Sequence, residues 1–153
     1  DKELAFIRKP DQERPVVSGI SGYDFLEINE ECLQNNYQNK DYIVTRIIEA
    51  WGTIEKYLNY GIGFIAVEGD RIAGMILGTA NYENILPIDI ETLKDHRKKG
   101  IATELTRRFL AYCYDNKLTA YWNCIISNAE SRNIAEKAGF QFIGSKDYYY
   151  FNI

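Results

Sequence analysis

Arg97, Lys98 and Lys99 stand in a row, followed at once by Gly100 and by Ile101-Ala102, the first residues of an apolar pattern with helical spacing. Cations beside a helix start suit an anion, because the first N–H groups of a helix lack acceptors within it and the helix field there is positive. Gly100 removes a side chain from the point where a phosphate would come closest to the backbone. That chemistry is a diphosphate cradle. Just upstream lie Asp89 and Glu91, two residues apart in a segment of strand character, so that their side chains share a face. Either carboxylate could serve as a general base, directly or through a water.

Spacing argues against other chemistries. A P-loop needs G-x-x-x-x-G-K-[ST] and a dinucleotide-binding turn needs G-x-G-x-x-G; neither occurs. Cys32, Cys113 and Cys124 are odd in number, far apart and without a C-x-x-C pair. They predict neither a disulfide framework nor a metal site, and they agree with a reducing, cytoplasmic setting. Cys124 has no His or acidic partner beside it, which points to a buried strand cysteine rather than a covalent acyl-enzyme nucleophile. Cys113 is expected as a small buried hydrophobe, and His96, the only histidine, as an exposed loop residue.

These groups need elements to hold them. With 153 residues, 46% of them hydrophobic, the chain suits one domain that buries roughly 70% of its unfolded surface. Its net charge of −4 argues against broad nucleic-acid affinity, and no apolar run approaches the ~20 residues that cross a bilayer. Charged residues with Pro10 and Pro15 give residues 1–20 the look of a linker or the tail of something upstream. A first strand is expected over 22–29, then helical character over 30–60 with breaks near Gln38-Asn39-Lys40 and at Gly52. Ile43, Ile47, Ile48, Trp51, Ile54 and Leu58 recur at spacings of three and four and predict one buried stripe. Strands at 63–68 and 71–80 flank the hairpin turn Gly69-Asp70, with Gly74 and Gly78 marking bulges or close backbone approach. A further strand ends near Thr92. The helix after Gly100 presents Ile101, Leu105, Phe109, Tyr112 and Cys113 on one face, with Glu104, Arg107, Arg108 and Asp115 elsewhere. A strand over 118–124 leads to Ser127-Asn128-Ala129-Glu130, which has capping-box spacing, and Gly139 can end the next helix in the left-handed conformation. Alternation around Gly144-Ser145, ending in Tyr148 to Phe151, predicts a closing hairpin.

Two motifs in this frame carry a resemblance. Arg97-x-x-Gly100-x-Ala102 is similar to the R/Q-x-x-G-x-G/A turn by which GNAT-superfamily acetyltransferases hold the diphosphate of acetyl-coenzyme A. Asn128-x-x-Ser131-x-x-Ile134-Ala135-x-Lys137-x-Gly139-Phe140 resembles that superfamily's later helix, N-x-x-A-x-x-L-Y-x-K-x-G-F. The likeness is good over about residues 62–144. Trp51-Gly52, Ile90-Glu91-Thr92 and Trp122-x-Cys124 further resemble a bacterial branch in which the domain follows an N-terminal extension.

The resemblance implies an α/β GNAT fold, a mixed central sheet of about six to seven strands with flanking helices, occupying residues 21–153. It implies transfer of an acetyl group from acetyl-CoA to a primary amine, on a small molecule or a peptide, by direct attack. Ile90, Glu91 and Thr92 would border the pantetheine arm, and Asn128 would lie near it. Arg97, Lys98, Lys99, Gly100, Ile101, Ala102 and Thr103 would face the diphosphate. Glu91 is the first choice of base, being closer to the implied acetyl position, with Asp89 second. Ala135 stands where many relatives carry a tyrosine that protonates the departing thiolate. Ser131, one helical turn earlier on the same face, is a substitute donor to the sulfur, with Tyr121, Tyr148 and Tyr150 as others. The same alanine keeps open a non-catalytic acyl-CoA-binding or regulatory module, and the tyrosine-rich C-terminus an interaction domain. No metal, membrane or nucleic acid is implied, and a homodimer is left open.

Overall fold

The computed structural model describes residues 2–147. Seven strands form one sheet: β1 (Lys2–Arg8), β2 (Asp24–Glu27), β3 (Gly63–Glu68), β4 (Arg71–Gly78), β5 (Ile85–Thr92), β6 (Thr119–Ile125) and β7 (Gln141–Asp147), in the order β2-β3-β4-β5-β6-β1-β7. Between them run α1 (Glu30–Gln34), α2 (Lys40–Trp51), α3 (Ile54–Tyr60), α4 (Ile101–Asp115) and α5 (Ala129–Lys137). Strands β2 to β5 are an antiparallel meander, whereas β5 and β6 are parallel and paired only over Ile85–Pro87 with Thr119–Tyr121. Beyond Pro87, β5 stays with β4 and β6 stays with β1, so the two strands part into a wedge.

Helices α4 and α5 pack on one face of the sheet, where Ile101, Leu105, Phe109, Ile76, Trp122 and Ala135 share a buried cluster. Helices α1 to α3 cover the β2–β5 half of the other face, around Ile43, Ile47, Tyr57, Ile65, Met75 and Leu77. The middle strand carries a bulge and a close backbone approach, both at or beside Gly74. Ala66 pairs with Gly74 and Val67 with Ile72, which leaves Ala73 as a bulge residue. A Cβ on Gly74 would come within 3.0 Å of the Glu91 carbonyl oxygen, so β4 and β5 approach closely just where the wedge opens.

Four expectations about the fold need correction. Gly144 and Ser145 are not a hairpin turn: β7 runs through them, Gly144 paired with Ala5 and Ser145 with Leu4. Residues 2–8 are not linker: they form β1 in the interior of the sheet, antiparallel to both β6 and β7. Leu4, Phe6 and Arg8 alternate inward, a period of two that the flanking charges and prolines obscured. The stripe across α2 and α3 is interrupted, with Ile43 and Ile47 buried but Ile48 and Leu58 exposed, and Tyr57 buried in place of Leu58. Gly52 takes a φ of 86° and Thr53 caps a new helix, so the 3.6-residue register restarts between them. Glu104, expected off the buried face of α4, is 1% exposed; its carboxylate accepts from Ser18 N and Arg108 Nε and ties the 18–20 segment onto the helix.

Candidate active site

The wedge is the entrance to the site. Hydrogen-bonding direction alternates along a strand. Pro87 O accepts from Thr79 N and Leu93 N donates to Ala73 O, so the odd positions of β5 turn their backbone toward β4. Ile88, Ile90 and Thr92 therefore turn their backbone groups toward the opening. A cavity of about 330 Å³ occupies it, walled by Ile90, Glu91 and Thr92 of β5, Trp122 of β6, Asn128 and Ser131 at the start of α5, and Arg97 and Ala102. A second, of about 530 Å³, shares Thr92, Arg97, Ala102, Glu130 and Ile134 with it and runs along Lys98, Gly100, Ile101 and Thr103 to Lys137. Together they form one trough from the sheet to the surface.

At its outer end the turn makes a donor array. Gly100 has φ 82° and Lys98 φ 63°, two left-handed residues that swing the chain into α4. The first intrahelical bond of α4 runs from Glu104 N to Gly100 O at 3.0 Å, and Gly100 provides no side-chain cap. The N–H groups of Ile101, Ala102 and Thr103 are thus without acceptors in the helix and border the second cavity. A Cβ on Gly100 would meet only Ile20 Cδ1, at 3.7 Å, so the glycine serves conformation and leaves the space beside the turn free. Arg97 is anchored by Nε donating to Thr92 O at 3.1 Å. Thr92 Oγ1 is buried and has no hydrogen-bond partner, at the junction of the two cavities. A buried hydroxyl without a partner is costly, and here it fits a ligand that supplies one.

Lys99 does not join the array. Its ammonium turns to Tyr23, 3.3 Å from the hydroxyl and 5.8 Å from the ring centre, because β2 and the loop before it lie on that side. His96, expected as exposed, is 6% exposed: Nδ1 lies 2.8 Å from the Tyr23 hydroxyl and the two rings meet edge to face. Its neighbours Lys94, Asp95 and Arg97 are polar, which hid the burial that Tyr23 provides across the fold.

The inner end carries Asn128 and Ser131. Asn128 both lines the cavity and caps α5, its Oδ1 accepting from Ser131 N at 3.1 Å. Ser131 Oγ accepts from Trp122 Nε1 at 3.0 Å and faces the same cavity. Burial pushes the Cys124 thiol up, opposed by a hydrogen bond with Ser131 and by Arg132, while the carboxylates of Glu136 and Glu3 add to the rise. Burial likewise pushes the Cys113 thiol up to about 12. Ala135 is fully buried and offers the cavity nothing. Tyr121 points to the opposite face of the sheet, beside Glu3 and Ile143, and is not brought to the site. Tyr148 and Tyr150 lie outside the described residues.

Asp89 and Glu91 do share a face, since β5 pairs with β4 without a register shift. Both meet α2. Arg46 donates through Nε and Nη2 to the two oxygens of Asp89, and through Nη1 to Glu91 Oε2 at 3.3 Å. The Tyr42 hydroxyl donates to the same Glu91 oxygen. Sequence reasoning missed both α2 residues. Their only signal was the i, i+4 spacing that sets Tyr42 and Arg46 one turn apart beside the Ile43–Ile47 stripe, and nothing local says which strand that turn will cover.

A GNAT acetyltransferase family model matches residues 10–149, and the chain belongs to that family. It is 29% identical over 150 residues to YdfB of Bacillus subtilis, described as an uncharacterized N-acetyltransferase; the match covers 97% of this chain and 56% of YdfB. Among solved structures, a GCN5-related N-acetyltransferase-like protein from Streptococcus suis superposes with a TM-score of 0.68 at 17% identity, over 94% of this chain and 60% of that one. AAC(6')-Iy in complex with the bisubstrate analogue CoA-S-monomethyl-acetylneamine superposes with a TM-score of 0.63 at 15% identity, over 87% of this chain and all of that one. The chain thus spans a little over half the length of YdfB and of the streptococcal protein. The mixed seven-stranded sheet with flanking helices is the GNAT fold. Among the described residues no helix is long and apolar enough to cross a membrane.

Proposed function

We propose that this domain transfers an acetyl group from acetyl-CoA to a primary amine by direct attack. The observation that carries the reading is the trough itself, which links a row of acceptor-less helix N–H groups to a carboxylate through an opened strand edge. The N–H groups of Ile101, Ala102 and Thr103 and the guanidinium of Arg97 bind the diphosphate. Hydrogen bonds to a charged partner contribute about 1.5–3 kcal/mol each, whereas the helix field alone gives about 0.3–1 kcal/mol, so the direct contacts dominate. The backbone of Ile88 and Ile90 pairs with the amides of the pantetheine arm, and Thr92 Oγ1 gains the partner it lacks. The thioester then lies between Glu91 and Ser131, both in the wall of the inner cavity.

Glu91 takes a proton from the incoming ammonium, and the free amine attacks the thioester carbonyl carbon. The C–S bond breaks as the amide forms; the attacking nitrogen gives up its second proton, and the departing thiolate takes a proton through the Ser131 hydroxyl, whose oxygen accepts from Trp122 and which hydrogen-bonds the sulfur. The structurally similar AAC(6')-Iy, in complex with the bisubstrate analogue CoA-S-monomethyl-acetylneamine, supports the reading that both substrates meet in one such trough. The test is calorimetric titration with acetyl-CoA, followed by thiol release over a panel of amines. Binding with thiol release that requires an amine supports transfer; failure to bind removes the reading. Ala135, buried where relatives place a tyrosine, favours a second reading, an acyl-CoA-binding module without turnover. Tight binding with no thiol release across the panel would establish that one instead.

A further inference from the structure

We propose that Tyr42 and Arg46 of α2 are positioning residues that commit Glu91, and not Asp89, to proton transfer. This assignment rests on the reading of Glu91 as the base.

Arg46 engages Asp89 fork to fork, Nε to Oδ2 at 2.8 Å and Nη2 to Oδ1. Both carboxylate oxygens of Asp89 are thereby engaged by one guanidinium, so this carboxylate is an anchor. Glu91 is held differently. Both donors from α2, the Tyr42 hydroxyl and Arg46 Nη1, converge on Oε2 alone. Pinning one oxygen fixes the rotamer and leaves Oε1 outside both of these bonds, on a residue that lines the inner cavity. The two donors also brace each other, since the Arg46 guanidinium lies 5.3 Å from the centre of the Tyr42 ring. Side-chain exposures of 26% for Arg46, 30% for Asp89 and 35% for Glu91 place the group at the rim, where an acceptor could reach it and water does not fully screen it. The other charged groups that share the cavity with Glu91 are Arg97 and Glu130, of opposite sign, from the far wall. Two carboxylates and one guanidinium leave a single negative charge at the acceptor side. A monocationic amine matches it better than a dicationic one.

The experiment is steady-state kinetics on Tyr42→Phe, Arg46→Met, Asp89→Asn and Glu91→Gln, each with its acetyl-CoA affinity measured separately. Tyr42→Phe keeps the ring beneath Arg46 and removes only the hydroxyl; kcat is expected to fall about tenfold, a fraction of the ~10²–10⁴ that a whole general base supplies, with the KM for acetyl-CoA unchanged. Arg46→Met is expected to lower kcat and to shift the ratio of kcat/KM between diamines and monoamines severalfold toward the diamines. Asp89→Asn should cost less in kcat than Glu91→Gln. A Tyr42→Phe variant within twofold of the parent in kcat overturns the positioning role while leaving acetyl transfer standing. A parent that binds acetyl-CoA and turns over no amine overturns both.

Discussion

On the α4 side of the wedge the N–H groups of Ile101, Ala102 and Thr103 have no acceptor in their helix and Thr92 Oγ1 is buried without a partner. On the α2 side, three of the four oxygens of Asp89 and Glu91 already accept a bond from Arg46 or Tyr42. The two walls face related trough space and treat polar groups in opposite ways. A site built of backbone donors left over at a helix start is ready for a large anion and reads little of its identity. A site built of paired side chains holds one carboxylate at a fixed angle and leaves its other oxygen outside those bonds. On the proposed reading the first wall binds and the second orients.

That contrast can be broken most severely at the turn. Gly100→Val forces a β-branched residue to φ 82° beside the donor row, and acetyl-CoA affinity should drop at least about a hundredfold, the worth of two hydrogen bonds to a charged partner at about 1.5 kcal/mol each. Calorimetry reads this, with circular dichroism to show that the helices remain. Glu91→Gln tests the other wall: kcat should fall about 10²–10⁴-fold while acetyl-CoA affinity holds, and a loss of affinity instead would mean that the two walls are not separable.

Arg97 and Lys99 sharpen the comparison from within one basic run. Arg97→Ala should weaken acetyl-CoA about tenfold, one charge-assisted bond at about 1.5 kcal/mol, because Arg97 lines both cavities. Lys99→Ala should change it by less than about twofold, since that ammonium is engaged with Tyr23 and lines neither cavity. Equal losses would show that net charge and not placement sets affinity. The smallest effect is expected at the cysteines: with burial holding Cys113 up to about 12, alkylation at pH 8 should leave it unmodified in the folded protein, as mass spectrometry would show.

Much of the proposed binding wall was legible along the chain. Gly100 at a left-handed position, the helix opening at Ile101 and the cap at Asn128 are local features, decided within a few residues of each other. The acceptor wall was only half legible. Asp89 and Glu91 share a face by the period of a strand, but their partners come from more than forty residues upstream. The same distance hid His96 under Tyr23 and Glu104 under Ser18. Residues 2–8 read as linker because the partners that make them a strand, β6 and β7, lie more than a hundred residues away.

By itself the sequence determined where helices start and stop, which positions alternate and which turn carries unpaired donors, because caps, periods and left-handed residues act through neighbours. Only the tertiary structure decided that β5 and β6 part beyond Pro87, that Lys99 leaves the cradle, and that α2 sets its tyrosine and arginine on the carboxylates. Those outcomes depend on which surfaces meet when the core is buried, and burial is not directional: it says that a face will be covered, and the packing of the whole chain says by what.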